Sequence, residues 1–373
     1  MTIKMKMPNV DEIRRVVVKV GSSTLTDSAG RLDLNYIRDL SGQISEQVRN
    51  DLQMILVTSG AIRAGAERLS INGRPQTLPE KQAAAAVGQG LLLHAYTDYF
   101  AHQGITAGQV LLTRDDFRDR TRYLNARNTL NALLELKCVP IINENDTVAV
   151  EEIRFGDNDI LAAMVAAATE ADIAIILSDV DGLYDGTPDK LISEIREITP
   201  EIEAMAGGAG SIAGTGGMRA KLEAAKIAMN CGVTMVIAQG RRKRVIADVL
   251  AGNPIGTWFW GSETRLAHRK RWIAFGSQVR GTVTVNEFAR KALTENGKSL
   301  LPMGVIGVTG KFQPGDLIAV DDESGSRVAR GLTNYGADDL RKIQGKHSEE
   351  IDSILGTREF DEVIHRDNMV VGV

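Results

Sequence analysis

The stretch Val16-Val17-Val18-Lys19-Val20-Gly21-Ser22-Ser23 decides the fold. Its β-branched residues predict a strand that ends at Gly21. Apart from Lys19 the strand is apolar on both faces, and strands of this kind are typical of a parallel sheet that is covered by helices on both sides. We therefore expect an α/β protein in which strands and helices alternate along the chain.

Further short apolar runs follow, separated by stretches with helical periodicity. We predict strands at 54–57, 110–112, 139–142, 173–177 and 234–237, the last of the sheet, and helices at 34–48, 61–69, 82–100, 123–136, 160–169 and 220–229. Polar or Gly-containing segments follow several strands, at 21–23, 58–60, 143–145 and 178–179. Parallel sheets bind ligands at the carboxyl ends of their strands, so these segments predict a site in a doubly wound, mainly parallel sheet sandwiched by helices.

The pattern changes after about residue 275. Short strands predicted at 281–285, 305–308, 317–320 and 327–330 lie between Gly-rich turns and indicate a small β-rich domain. We predict a first domain over 1–260, a linker over 261–275, and a second domain with a C-terminal tail over 276–373.

Composition narrows the classes of function. The chain has 373 residues, of which 43% are hydrophobic, and a net charge of −4, which argues against a chain devoted to nucleic acid or an anionic membrane. Cys138 and Cys231 lie in apolar stretches and are expected to be reduced, buried thiols. Met1 to Val10 lacks the apolar segment of a secretory signal, and no apolar run reaches membrane-spanning length. We expect a cytoplasmic location without a membrane partner.

Lys19 is the first candidate for a phosphate ligand. A lone ammonium at the end of a buried strand is costly and favours a bound anion. Gly21 beside it would let backbone N–H groups approach a phosphate closely. A lysine that extends along the strand toward water explains the residue equally well.

A second candidate is Thr215-Gly216-Gly217-Met218-Arg219-Ala220-Lys221. It is predicted as a Gly-rich turn that leads into a helix beginning at Ala220, and helix N-termini favour phosphate. Lys221 would oppose the helix dipole in the first turn unless it faces a bound phosphate. A loop without a ligand is the alternative.

Two more polar segments complete the set of candidates. Asp157-Asn158-Asp159 precedes a predicted helix, and helix capping accounts for only one of its three polar side chains. Ser178-Asp179-Val180-Asp181-Gly182 follows a strand, but it lacks the other ligands of a calcium loop. We predict no metal site made by protein side chains.

These segments together resemble the amino-acid kinase superfamily, and the resemblance covers almost the whole chain. Within it the chain is similar to the members that transfer the γ-phosphate of ATP to the side-chain carboxylate of L-glutamate, the first step of proline biosynthesis. The residues that carry the resemblance are 18–23, 57–62, 142–146, 156–159, 178–184 and 214–221.

The resemblance implies roles for individual residues. Lys19, Lys221 and Asp159 would be catalytic, with Asp159 orienting the two lysines. Ser59, Asp146 and Asn158 would bind glutamate, with Asp146 pairing with its ammonium. The residues that would hold ATP are Lys19, Ser178, Asp179, Thr215, Gly216, Gly217, Met218, Arg219, Ala220 and Lys221.

The same resemblance implies Mg²⁺, held mainly by ATP phosphates and water. It also implies feedback inhibition by proline and a homo-oligomer, a dimer or a tetramer. The relative roles of Asp157 and Asp159 stay open.

The C-terminal region resembles a PUA domain through residues 298–305, 310–316 and 329–332. That resemblance implies contact with RNA, although Asn286-Glu287-Phe288-Ala289 departs from the Asp-x-Gly-Ala that is usual in PUA domains.

Two alternatives remain. One is a kinase of the same fold that acts on N-acetylglutamate, aspartate, carbamate or UMP, and Asp146 speaks against an acetylated amine. The other is an RNA-binding regulatory protein with an inactive kinase scaffold, against which Lys19 and Lys221 argue.

Overall fold

The computed structural model describes residues 13–27, 31–71, 73, 75–148, 158–186, 190–206, 215–261, 279–357 and 360–372. The chain divides into two compact units, which we describe separately. The linker predicted at 261–275 lies almost wholly outside the described residues, so the predicted domain boundaries stay a prediction.

The first unit contains an eight-stranded sheet in the order β3-β4-β2-β1-β5-β7-β8-β6. Its strands are β1 Arg15–Val20, β2 Gln53–Val57, β3 Ala107–Leu112, β4 Val139–Glu144, β5 Ile173–Ser178, β6 Glu194–Ile195, β7 Thr234–Gln239 and β8 Thr257–Phe259. Neighbouring strands are parallel except for the antiparallel pair β7 and β8. The predicted doubly wound, mainly parallel sheet is therefore confirmed.

Ten described helices lie wholly or partly in this unit. They are α1 Ser22–Leu25, α2 Leu34–Arg49, α3 Ala61–Arg68, α4 Leu78–His102, α5 Arg114–Arg118, α6 Arg120–Glu135, α7 Asn158–Thr169, α8 Pro200–Met205, α9 Thr215–Asn230 and α10 Val245–Leu250. Residues 117–123, at the end of α5 and the start of α6, are grouped with the second unit. Among the residues described, none of the helices is both long and apolar enough to cross a membrane.

Two expectations about this unit were wrong. The strand at 234–237 is not the last of the sheet, because β8 follows it and β6 forms the far edge. These strands have three and two residues, too few to show a periodicity. The second error is the start of α9, which begins at Thr215 rather than Ala220. Gly216 and Gly217 lower helix propensity only locally, so they do not prevent the helix from beginning before them.

The alternation along β1 explains where Lys19 points. Val16, Val18 and Val20 join one hydrophobic core with side chains of α2 and α4. Successive side chains of a strand point to opposite faces, so Lys19 lies on the other face of the sheet. Helix α7 packs against β1 and β5 and against α9. All its residues from Asp159 to Thr169 are buried. Lys19 is thereby directed toward the helix that carries Asp159.

Helices α3 and α4 approach each other closely at two glycines. A Cβ atom on Gly65 would lie 1.7 Å from the carbonyl oxygen of Ala84, and one on Gly88 would lie 1.8 Å from that of Ala61. Neither distance is compatible with a side chain, so the two helices touch backbone to backbone. Because α3 begins two residues after Ser59, this contact fixes the end of β2 against α4.

The second unit is built on a five-stranded sheet in the order β10-β9-β11-β12-β13. Its elements are β9 Gly281–Val285, α11 Glu287–Thr294, β10 Val305–Gly310, β11 Leu317–Asp321, β12 Arg327–Leu332, α12 Ala337–Ile343, α13 Ile351–Leu355 and β13 Met369–Val371. Val283, Ile318 and Leu340 lie in its core. The predicted β-rich unit is confirmed, and β13 is a strand that the sequence pattern did not indicate.

Candidate active site

The polar segments singled out in the sequence meet at one edge of the large sheet. Strands β4, β2, β1 and β5 follow one another across the sheet in that order and run parallel. Their carboxyl ends therefore lie side by side, which places Lys19, Ser59, Asn143 and Ser178 along the same edge. Lys19 is paired in register with Val57 on one side and Ile176 on the other, both of them buried.

Asp159 joins the two candidate catalytic lysines. Its Oδ1 forms an ion pair with Lys19 Nζ, and its Oδ2 lies 3.0 Å from Lys221 Nζ. The Lys19 side chain is 7% exposed, that of Lys221 12% and that of Asp159 3%. One buried carboxylate therefore holds two ammonium groups that come from different elements of the fold.

Burial and charge compete in this cluster. Burial lowers the pKa of Lys19, and the neighbouring Asp159 opposes that effect without cancelling it. Burial alone would raise the pKa of Asp159, but Lys19 and Lys221 outweigh it and hold that pKa below its usual range. Asp159 also lies in the first turn of α7, where the helix dipole favours a negative charge. The two lysines and the helix dipole thus stabilise the ionised form of Asp159.

Helix α9, which packs against α7 and β7, brings Lys221 to the cluster. Lys221 lies near the start of α9, and its Nζ also donates to the carbonyl oxygen of Gly217 at 3.5 Å. Since α9 packs against α7, this end of α9 stands next to the end of α7 that carries Asp159. The lysine therefore lies on an element rigidly packed against its partner.

Asn158 is at the centre of a set of hydrogen bonds between strand ends. The two N–H groups of its Nδ2 are shared among three acceptors, which are Ser59 Oγ at 2.8 Å, the carbonyl oxygen of Thr58 at 3.0 Å and Asn143 Oδ1 at 3.1 Å. Ser59 and Asn158, which the family resemblance implies as glutamate ligands, are thus hydrogen-bonded to each other. Asn143 donates in turn to Gln89 Oε1 at 2.7 Å. Gln89 was not anticipated, because nothing in its local pattern links it to a residue 54 positions away.

Asp146 follows β4 and is only partly exposed. Within the described residues no cation or hydrogen-bond donor pairs with it. Burial without a compensating charge raises the pKa of Asp146 to about 6. It makes no contact with Lys19, Lys221 or Asp159, so the structure leaves it as a separate acidic group at the same edge.

Ser178 and Asp179 are held at the end of β5. Ser178 Oγ donates to Asp179 Oδ1 at 3.1 Å, and Gln239 Nε2 donates to the carbonyl oxygen of Asp179 at 2.9 Å. Asp179 is near enough to Lys19 for its negative charge to offset a small part of the lowering of the Lys19 pKa by burial. The pair therefore borders the lysine cluster from the side of β5 and β7.

A contact after β7 fastens this side of the site. Tyr36 Oη donates to the carbonyl oxygen of Gly240 at 3.0 Å. Arg241 stacks over the Tyr36 ring and donates to Asp33 Oδ2 at 3.0 Å and to the carbonyl oxygen of Thr24 at 3.1 Å. The loop after β7 is thereby tied to the segment after β1, a link that the basic composition of residues 241–244 did not suggest.

The remaining predicted residues lie in α9 or outside the described chain. Thr215 to Lys221 form the first seven positions of α9. Gly217 and Arg219 are exposed there, and Met218 and Ala220 are half-buried. Asp157 lies outside the described residues, so its role relative to Asp159 stays open.

Within the described part of the chain, no group of three His, Cys, Asp or Glu side chains is placed to hold a metal ion. Asp159, the carboxylate between the lysines, already has both oxygens engaged by ammonium groups. Among the described residues, the carboxylate nearest the two lysines is thus committed to them.

A parallel sheet with buried lysines gathered at its carboxyl edge fits an enzyme that handles phosphate groups, and family comparisons agree. Residues 14–239 match the amino acid kinase family, and residues 281–355 match the PUA domain. The chain belongs to the amino acid kinase family.

Similarity to individual proteins is more specific than the match to the family. The chain is 50% identical over 367 residues to the glutamate 5-kinase of Moorella thermoacetica, and the match covers 97% of each chain. It is 49% identical over 362 residues to that of Caldanaerobacter subterraneus subsp. tengcongensis, with 96% of this chain and 97% of that enzyme covered. It is 48% identical over 372 residues to that of Syntrophotalea carbinolica, with 98% of this chain and all of that enzyme covered.

Proposed function

We propose that the chain transfers the γ-phosphoryl group of ATP to the side-chain carboxylate of L-glutamate, which forms glutamate 5-phosphate in the first step of proline biosynthesis. The observation that carries this proposal is the buried cluster of Lys19, Asp159 and Lys221 at the carboxyl edge of the sheet. The near full-length similarity to glutamate 5-kinases supports glutamate as the acceptor.

The chemistry asks for positioning and for neutralisation of charge on the transferred group. Lys19 and Lys221 approach Asp159 from two elements, so phosphate oxygens placed beside Asp159 would meet an ammonium from each. Asp159 keeps both side chains directed at the site and stays ionised beside them. The attacking carboxylate has a reference pKa near ~4.3 and is already ionised at neutral pH, so no general base is required.

Glutamate would lie near Ser59, Asn158 and Asp146. The ammonium of an amino acid would supply the charge that Asp146 lacks among the described residues. An acetylated amine carries no charge and would leave Asp146 unpaired, which disfavours N-acetylglutamate. Asn158 Oδ1 is also buried without a hydrogen-bond partner and is available to a donor on the substrate.

ATP would lie between Ser178, Asp179 and the start of α9. Residues Thr215, Gly216, Gly217, Met218, Arg219, Ala220 and Lys221 would surround its phosphates, together with Lys19. Mg²⁺ would be bound by ATP phosphates and water and would neutralise part of the phosphate charge. This assignment rests on the helix N-terminus and on the proximity of Asp179 to Lys19.

Three further properties belong to the proposal through similarity to the family. They are inhibition by proline at or near the glutamate site, assembly into a homo-oligomer, and a cytoplasmic location. Proline shares the α-carboxylate and a cationic nitrogen with glutamate, so Ser59 and Asp146 could receive it in the same way.

For the second unit, the match to the PUA domain favours RNA as a ligand. The sequence departs from the usual PUA pattern at Asn286 and Phe288, yet Asn286 Oδ1 accepts from the backbone N–H of Ala289 at 2.8 Å and caps α11. Binding that falls steeply with salt would support contact with RNA. Binding too weak to detect at low salt would remove RNA from the proposal and leave the kinase unaffected.

The test of the proposed reaction is ADP release with ATP and Mg²⁺ in the presence of hydroxylamine, which traps acyl phosphates. Glutamate, N-acetylglutamate and aspartate are offered separately. Hydroxamate formed with glutamate alone is the expected result. Turnover with another acid would change the substrate but keep the phosphate site, and no turnover with any acid would refute the proposed function.

A further inference from the structure

We propose that Gln89 is a positioning residue for the glutamate site, acting through Asn143 on Asn158. The inference rests on the proposed function, because it assumes that Asn158 and Ser59 contact the acceptor substrate. Gln89 belongs to α4, away from the segments that carry the family resemblance. The only described hydrogen bond of its side chain is the one that it accepts from Asn143 Nδ2 at 2.7 Å.

The hydrogen bonds of the three amides have a fixed direction. The carbonyl oxygen of Thr58 can only accept, so it holds the Nδ2 side of Asn158 toward β2. Asn143 must then turn its Oδ1 to Asn158, which leaves its Nδ2 to find an acceptor. Gln89 Oε1 is that acceptor, and Asn143 is 1% exposed, so water does not replace it readily.

Removal of Gln89 Oε1 would therefore leave a buried donor unsatisfied. The Asn143 amide would gain by turning or shifting, and either movement would loosen its bond to Asn158. Asn158 Nδ2 also donates to Ser59 Oγ at 2.8 Å. A shift of Asn143 would therefore disturb both the Asn158 amide and the Ser59 hydroxyl at the acceptor site. Lys19, Lys221 and Asp159 have no bond to this chain of amides among the described residues.

The fold supports such a role because it allows little movement at this point. Gly88, the neighbour of Gln89, touches the backbone of Ala61, which lies two residues after Ser59. The helix that carries Gln89 is thus in backbone contact with the helix that follows Ser59. Two buried atoms, Gln89 Nε2 and Asn158 Oδ1, have no described partner, as expected where bonds are arranged for a ligand rather than for the fold alone.

The experiment measures kcat and KM for glutamate and for ATP in the whole protein and in Gln89→Met, Asn143→Ala and the double variant. Gln89→Met should raise the KM for glutamate about tenfold, which is about 1.4 kcal/mol, and leave the KM for ATP and kcat within about twofold. In the Asn143→Ala background the same change should have no further effect on the KM for glutamate. Gln82→Met, on the same helix at a glutamine whose side chain has no described hydrogen bond, is the matched control.

A wild-type KM for glutamate in Gln89→Met would overturn the proposal and leave Gln89 with a structural role. Effects that multiply in the double variant would overturn it too, because Gln89 would then act independently of Asn143. Circular dichroism verifies that each variant is folded. If the methionine side chain prevents folding, Gln89→Ala is measured in place of Gln89→Met. Absence of hydroxamate from wild-type protein with glutamate would instead refute the proposed function, so the two failures are distinct.

Discussion

Asp146→Asn should make the ligand-free protein more stable while it impairs the enzyme. The carboxylate is partly buried with no described counter-charge, and its pKa is raised to about 6. A rise from the ordinary value near ~4 corresponds to about 3 kcal/mol of destabilisation when the group is ionised. Partial exposure of the side chain makes that an upper limit. Asparagine has nearly the same shape and needs no counter-charge.

The stability that Asp146→Asn gains over wild type should depend on pH. At pH 7 the carboxyl is ionised in both the folded and the unfolded chain, so the folded wild-type protein is destabilised by the full amount. Between about pH 6 and ~4 the folded protein retains the proton that the unfolded chain has lost, and the cost declines. Below ~4 both states are protonated, and the advantage of Asp146→Asn should vanish. In wild type the KM for glutamate should rise as the pH falls below about 6, since a neutral carboxyl no longer attracts an ammonium.

Urea denaturation of the ligand-free proteins at pH 7 and pH 4.5 tests the stability, and the hydroxamate assay tests the KM. Asp146→Asn should raise the KM for glutamate by about a hundredfold or more, since an ammonium in the site would lose its partner. Asp98→Asn, an exposed position on α4, is the control. An equal or lower denaturation midpoint for Asp146→Asn at pH 7 would refute the view of Asp146 as an unpaired, desolvated acid.

Lys221→Ala should lower kcat by about 10² or more with little change in the KM for glutamate, because the Lys221 ammonium acts on the transferred phosphate. Lys226→Ala on the same helix is the control. A normal kcat in Lys221→Ala would disprove the role of Lys221. Asp159→Asn should cost about 3–5 kcal/mol of unfolding free energy, because it leaves the buried ammonium of Lys19 and the half-buried ammonium of Lys221 without their partner, and an unchanged melting temperature would contradict this. Gly88→Ala should destabilise by more than about 2 kcal/mol through its backbone clash, whereas Gly90→Ala, where a Cβ meets nothing within 4 Å, should be neutral or stabilising by up to about 1 kcal/mol.

Much of the fold followed from the local pattern. The apolar strands around Val16–Val20 and Ile173–Leu177 indicated a covered parallel sheet, and the polar segments after them indicated its binding edge. The strand Glu194–Ile195 could not be found in this way, since two residues have no periodicity. The early start of α9 escaped prediction because the helix extends through Gly216 and Gly217 against their weak propensity.

At the site, the sequence indicated which residue types meet but not how they bond. Lys19, Asp159 and Lys221 were expected together, and the structure joins them through one carboxylate. Gln89 was missed because its partner Asn143 lies on a different element, and only the packing of α4 brings the two together. The pKa of Asp146 likewise depends on burial and on the absence of a described cation, neither of which a sequence pattern records.

The backbone contact between α3 and α4 bears on how the enzyme could be redesigned for acids of another length. Aspartate is one methylene shorter than glutamate, and its reacting carboxylate could be reached by shifting the helix that follows Ser59. At Gly65 and Gly88 the helices touch backbone to backbone, so no side-chain layer lies between them that could be trimmed or refilled to produce that shift. A change of acceptor must therefore come from replacing side chains that line the site, with the scaffold kept as it is.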